Sequence, residues 1–144
     1  MKIVRLPMRL EDCPVKTTAD VISGKWKALV LYYLKDGPIR FGQLKRLTQG
    51  ASHKVLTEQL RELEMDGVVQ RVETLGKTLK VEYSLSEYGQ TLAPILSLMA
   101  KWGADFKNRN AQASADAASA QATELNQSIA QSASSSVYEL KRKR

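Results

Sequence analysis

Apolar residues recur at helical spacing on both sides of a short polar interruption near the middle of the chain. The first stripe comprises Phe41, Leu44 and Leu47, and the second comprises Leu56, Leu60 and Leu63. Each stripe predicts one buried face of a helix. Ser52, just before the second stripe, can cap the N-terminus of that helix with its side-chain oxygen. Two helices joined by a tight turn are typical of a helix-turn-helix, although an ordinary helix pair with a solvated outer face fits the same pattern.

The outer face of the second helix is polar. At about 100° per residue, the side chains opposite the leucines are Lys54, Thr57, Glu58 and Arg61. In a helix-turn-helix the second helix enters the major groove of DNA, and its N-terminal residues contact base edges. Two further helices are predicted before this unit, one from about Val15 to a break at Ser23-Gly24 and one from Lys25 to a stop at Asp36-Gly37.

The pattern changes from helical to alternating after Gly67. Residues 68–72 predict a short strand, and residues 79–85 alternate apolar and polar side chains as a half-buried strand does. The loop between them contains Gly76 and Lys77, so the pair predicts a β-hairpin. A hairpin directly after a helix-turn-helix is the wing of a winged helix, although a plain solvated hairpin remains open. The expected fold is therefore mainly α with a small β-hairpin wing, an α+β winged helix-turn-helix.

A last helix carries an apolar face that is wider than so small a core requires. Its members are Leu92, Ile95, Leu96, Met99, Trp102 and Phe106. We expect Met99, Trp102 and Phe106 to meet a second copy of the chain, because they would otherwise face water. The alternative is that the helix folds back onto the N-terminal helix of its own chain.

Composition divides the chain into three parts. We expect an N-terminal arm at residues 1–12, a DNA-binding and dimerisation domain at residues 13–109, and a tail at residues 110–144. The tail is rich in Ala, Gln and Ser, is expected to be mostly disordered or a fraying helix, and ends in a basic run. The net charge of +7 suggests an anionic partner. No apolar run approaches the roughly 20 residues of a membrane helix, and the N-terminus lacks a signal core, so we expect a soluble cytoplasmic protein without a membrane partner.

Residues with catalytic or metal-binding chemistry are few. His53 is the one histidine, and the spacing of Ser and Cys offers it no nucleophile. The eight glycines form no phosphate-binding loop. We therefore expect no enzymatic activity, no metal and no cofactor. Cys13, the one cysteine, is either a reactive or an inert thiol: Glu11 and Asp12 disfavour its thiolate, whereas Lys16 and the following helix N-terminus favour it.

Several blocks together resemble the HxlR-type winged helix-turn-helix regulators of bacteria over roughly residues 13 to 106. These blocks are Cys13-Pro14-Val15, Ile22-Ser23-Gly24-Lys25-Trp26, residues 37–44, residues 56–64, Asp66-Gly67-Val68-Val69 and residues 81–86. The resemblance implies a homodimeric transcriptional regulator that binds a pseudo-palindromic operator and dimerises through its N- and C-terminal helices. In several members a cysteine that precedes proline senses electrophiles or oxidants, and Cys13 matches it. Two departures are Ser23, where the family usually has glycine, and a wing without the frequent proline.

The residues expected to contact double-stranded DNA come from both helices and the wing. They are Arg40, Lys45, Ser52, His53, Lys54, Thr57, Arg61 and Lys77. The base-reading helix supplies Lys54, Thr57 and Arg61, and its N-terminus favours phosphate near Ser52 and His53. The alternative function is a winged-helix protein-interaction module without specific DNA binding.

Overall fold

The structure is a computed structural model that describes residues 9–142. Most of the predicted N-terminal arm, residues 1–8, and the last two residues of the basic run lie outside the described residues. A 3-10 helix at Leu10–Asp12 precedes α1 (Pro14–Ile22), α2 (Lys27–Leu34), β1 (Ile39–Arg40), α3 (Phe41–Leu47) and α4 (His53–Met65). The hairpin strands β2 (Val69–Leu75) and β3 (Leu79–Leu85), a 3-10 helix at Gly89–Leu92 and α5 (Ala93–Arg142) follow.

The predicted helix-turn-helix is present as α3, a five-residue turn and α4. Ser52 Oγ accepts a hydrogen bond from the Val55 backbone N–H at 3.1 Å, so the predicted cap forms. Leu56, Leu60 and Leu63 are all fully buried. The buried leucines fix which side of α4 faces solvent, and the predicted mainly α fold with a small sheet is confirmed.

The sheet has three antiparallel strands in the order β1-β3-β2. β2 pairs with β3 from Val69 opposite Leu85 to Leu75 opposite Leu79. The first hairpin strand is longer than predicted, because cross-strand pairing continues through three residues that the sequence pattern assigned to the loop. β1 was not predicted: Ile39 and Arg40 pair with Tyr83 and Glu82 and join the helix-turn-helix to the hairpin.

The chain divides into two units, one up to Met99 and one from Ala100. The core of the first unit lies among α2, α3, α4 and the sheet, where the fully buried side chains include Val30, Leu31, Leu34 and Leu44. α1 contributes Val21 and Ile22, which are partly buried against this core.

The second unit is helical as far as the structure describes it. Of the two forms expected for the tail, mostly disordered or a fraying helix, the described residues have the helical one. The segment between Gly103 and Arg142 contains no glycine or proline, and its many alanines and glutamines favour helix. Across residues 9–142, no helix combines the length and apolarity that membrane crossing requires.

Candidate nucleic-acid interface

The exposed face of α4 carries the side chains that the sequence assigned to base contacts. The side chain of Lys54 is 84% exposed, and its Nζ lies 4.0 Å from Glu58 Oε1. Arg61 is exposed two turns further along the same helix. Thr57 is half-buried, and its hydroxyl donates to the His53 carbonyl at 2.8 Å. The face therefore offers two long cationic side chains beside a hydroxyl that is already hydrogen-bonded.

The N-terminus of α4 is built from Ser52 and His53. Ser52 uses its side-chain oxygen for the cap, so its role toward a ligand rests on the backbone N–H groups of the first turn. The His53 ring lies against Phe41, with ring centroids 4.8 Å apart and planes tilted by 59°. This contact joins the beginning of α3 to the beginning of α4.

Arg40 and Lys45 belong to the elements that precede α4. Arg40 is exposed at the end of β1, and its Nε lies 4.0 Å from Glu82 Oε1. Glu82 is held more closely by Lys80, at 2.8 Å, so Arg40 is only loosely engaged. Lys45 is half-buried in the last turn of α3, where its cation is favourable against the helix dipole.

A hollow separates α4 from the inner face of the hairpin. It is lined by Phe41, His53, Thr57, Arg61, Glu64, Arg71, Val81 and Tyr83. The hollow thus brings together three predicted contact residues, His53, Thr57 and Arg61. Lys54 and Lys45 lie outside it.

Arg71 is a cation of this hollow that the predicted contact set omits. It lies opposite Tyr83 in the β2–β3 register and forms an ion pair with Glu73. Hydrogen bonding to Glu73 raises the pKa of Arg71, which stays charged. Burial raises the pKa of the Tyr83 phenol above its ordinary value near 10, and the Arg71 guanidinium opposes that rise. Val69 is buried, and Arg71 lies two residues further along β2. Because residues two apart in a strand lie on the same face, the sequence could have predicted Arg71 on the inner face of the hairpin.

Lys77 lies in the three-residue turn of the hairpin, between the exposed side chains of Leu75 and Leu79. Together with Arg40 it lines a second recess, between the hairpin tip and the start of α3. The predicted contacts therefore fall into one group along α4 and one near the hairpin tip, with Lys45 apart from both on α3.

Cys13 directly precedes α1 and is half-buried. Its carbonyl accepts from the Thr17 N–H at 3.0 Å. Lys16 is the cation that the sequence analysis considered as favouring the thiolate. It forms an ion pair with Asp20, with 2.5 Å between Lys16 Nζ and Asp20 Oδ2. Among residues 9–142, no three His, Cys, Asp or Glu side chains are grouped as a metal site would require.

The residues predicted to meet a second copy are exposed. Met99 is the last residue of the first unit and is open to solvent. In the second unit, Trp102 is 68% and Phe106 48% exposed. Their rings stack on one another, with centroids 5.1 Å apart and planes at 12°. Two stacked aromatic side chains open to water form a large apolar surface for a single helix.

Comparison with known proteins identifies relatives of the same architecture. A family model described as HxlR-like helix-turn-helix matches residues 21–111. The HTH-type transcriptional regulator YdeP of Bacillus subtilis is 48% identical over 99 residues, which is 69% of this chain and 77% of that relative. The redox regulator HypR in its reduced form is 45% identical with a TM-score of 0.64, over 66% of this chain and 94% of that one. Reduced YodB of B. subtilis, a transcriptional regulator, is 33% identical with a TM-score of 0.57, over 65% of this chain and 93% of that one.

Proposed function

Because the chain belongs to the HxlR-like helix-turn-helix family, we propose that it binds a specific DNA operator as a homodimer. It is a transcriptional regulator of the helix-turn-helix type and not an enzyme. In the proposal, residues 13–109 carry both DNA binding and dimerisation, and the family match at residues 21–111 supports that assignment. Lys54, Thr57 and Arg61 contact base edges or nearby phosphates in the major groove.

One observation carries the DNA-binding proposal: α4 is anchored by three fully buried leucines and turns Lys54 and Arg61 outward. A helix held in this way presents its cations at fixed positions, which base-edge recognition requires. Arg40, Lys45 and Lys77 would bind phosphates on either side, and the first-turn N–H groups of α4 would bind another. Phosphate contacts position the protein on the duplex, and base contacts select the sequence.

The proposal is tested by selecting bound sequences from a pool of random duplex DNA. A homodimer with two α4 helices is expected to enrich a pseudo-palindrome whose half-sites are about 10 base pairs, or about 34 Å, apart. Recovery of a single half-site would contradict dimeric binding. Recovery of no sequence at all would contradict specific DNA binding and favour a protein-interaction module.

Replacing Arg61 by Ala tests base recognition. Arg61→Ala is expected to weaken binding to the selected operator by roughly 1–3 kcal/mol, because a guanidinium that contacts guanine is lost. Binding to random DNA should change much less, as titration of both duplexes at one fixed salt concentration would reveal. Arg109→Ala, which removes the same charge from α5, is the matched control and should lower both affinities slightly and equally. An equal loss on both duplexes for Arg61→Ala would assign Arg61 to phosphate alone.

We further propose that Cys13 responds to electrophiles or oxidants. The likeness to HypR, a redox regulator, supports this role, as does the half-buried position of Cys13 at the start of α1. Modification of the thiol would displace α1 at the proposed dimer interface and change the spacing of the two α4 helices.

Serine in place of Cys13 separates sensing from DNA binding. Cys13→Ser is expected to bind the operator as the wild type does, because the side chain makes no capping hydrogen bond. It should lose the change in affinity that diamide treatment produces in the wild type, measured by operator titration before and after treatment. Since Cys13 is the one cysteine of the chain, a diamide response in Cys13→Ser would rule out the sensor role. Restoration of wild-type affinity by a thiol reductant is the control.

A further inference from the structure

The segment that links α1 to α2 contacts α4 at Gln59, a half-buried residue next to the fully buried Leu60. We call residues 23–27, which are this link and the first residue of α2, the α1–α2 joint. The Trp26 backbone N–H donates to Gln59 Oε1 at 3.0 Å, across 33 residues of sequence. Gly24 adopts a φ of +120°, and a Cβ built there would lie 3.4 Å from Gln59 Nε2. The Gln59 side chain therefore lies against Gly24, whose backbone conformation glycine adopts without strain.

A second contact joins the same two elements one turn further along α4. Lys27 is only 6% exposed, and its Nζ lies 2.5 Å from Glu62 Oε2. Burying an ammonium group is costly unless a partner compensates it, and an apolar side chain would fill the same space more cheaply. The Glu62 side chain is 50% exposed, so the ion pair adds little stability, and its effect on α4 is to fix the direction of Glu62 toward Lys27.

The joint also reaches the turn before α4. The Trp26 ring lies 3.8 Å from the position that a Cβ on Gly50 would take. Three contacts thus connect the joint to α4 and its preceding turn. The Trp26 ring lies beside Gly50, the Trp26 N–H donates a hydrogen bond to Gln59, and Lys27 forms an ion pair with Glu62. Leucine packing sets which face of α4 is buried. The two polar contacts add directional restraints on the rotation of α4 about its own axis, because a hydrogen bond and an ion pair require a defined geometry.

We propose that Gln59 and Glu62 are positioning residues that set the rotation of α4 and thereby the sequence preference of the protein. A rotation of about 20° moves a side chain at the helix surface, about 5–6 Å from the axis, by about 2 Å. A displacement of that size breaks a hydrogen bond to a base edge but leaves a long cation within reach of phosphate. The joint is the covalent continuation of α1, so a displacement of α1 passes to α4 through the same contacts.

The inference rests on the proposed DNA-binding function and is tested with Gln59→Leu, which removes the acceptor without changing the charge. The full-length variant is expected to lose about tenfold in its preference for the selected operator over a scrambled duplex. Its affinity for the scrambled duplex and the salt dependence of that affinity should match the wild type, because no phosphate contact is altered. The Trp26 amide resonance of ¹⁵N-labelled protein should shift upfield, which reports loss of the hydrogen bond independently of DNA.

Two further variants keep the test decisive. Gln59→Glu, whose carboxylate can still accept from Trp26, should recover most of the preference. If Gln59→Leu does not fold, Glu62→Gln takes its place in the test. It removes the charge of Glu62 but retains the shape of the side chain, and it should also lower the preference for the operator.

Leu85→Val is the control for stability, because Leu85 is buried on β3 and does not belong to the joint. A wild-type preference in Gln59→Leu despite the amide shift would overturn the inference. The inference would also be overturned if Leu85→Val had the same melting temperature as Gln59→Leu and lost the preference for the operator to the same extent. Absence of any preference in the wild type would instead refute the proposed function itself, and the inference with it.

Discussion

At the scale of single residues, Gly89 is the glycine with the least room for a side chain. A Cβ at Gly89 would lie 1.9 Å from the Val68 carbonyl oxygen and 2.9 Å from its carbon. That carbonyl cannot move freely, because it accepts the Ser86 N–H at 3.0 Å. Ser86 Oγ in turn accepts the Gly89 N–H at 2.9 Å and donates to the Gly67 carbonyl at 2.6 Å. This network joins the end of the hairpin to the turn after α4.

Gly89→Ala is therefore expected to be strongly destabilising. Relief of the clash must displace backbone and break hydrogen bonds, so we expect a loss of about 3 kcal/mol in the free energy of unfolding, at the upper end of typical overpacking costs. Denaturant titration measures the loss.

Gly42→Ala is the matched control, because Gly42 is helical and no heavy atom approaches its Cβ position within 4 Å. It should stabilise by about 0.5–1 kcal/mol through the unfolded state. A change of less than about 0.5 kcal/mol in Gly89→Ala, the range of ordinary surface substitutions, would contradict the geometry at Val68.

At the scale of elements, local patterns predicted α4 and the hairpin because their determinants are close in sequence. The cap at Ser52 and the three leucines fixed the start and the buried face of α4. Strand alternation likewise predicted β3 at residues 79–85 with the bounds that the structure has. Such features depend on side chains one turn or one pleat apart, so neighbouring residues suffice to predict them.

Elements that depend on distant contacts were not predicted. β1 consists of two residues after a Gly-Pro pair, which the sequence presents only as a breaker, and its pairing with Tyr83 spans more than 40 residues. The contact between Gln59 and Trp26 is equally non-local and depends on the path of the α1–α2 joint. The helix beyond Asn110 was left open between disorder and a fraying helix for a different reason. Its few large apolar residues suggested too little packing, whereas the absence of glycine and proline leaves the helix uninterrupted.

At the scale of the whole molecule, the proposed recognition of a pseudo-palindromic operator would require two copies of the chain. A single α4 covers about half of a pseudo-palindrome, and the second half needs another α4 about 34 Å away. We propose the stacked and exposed pair Trp102 and Phe106 as the surface for that association, since aromatic side chains dominate the energetics of interfaces. Their substitution should therefore alter both the mass in solution and the length of DNA that is bound.

Replacing both aromatic residues tests this link. Trp102→Ser combined with Phe106→Ser is expected to convert a species of twice 16.0 kDa into one of 16.0 kDa in sedimentation equilibrium, because the apolar surface that two copies bury is removed. Operator affinity should fall to that of an isolated half-site, while α4 stays intact and half-site binding is unchanged. Leu125→Ser, at another exposed apolar position of α5, is the control and should leave mass and affinity as they are. A double variant that still sediments at twice the monomer mass would place the dimer interface elsewhere. A wild-type protein that is monomeric and still binds the full operator would contradict the requirement for a dimer.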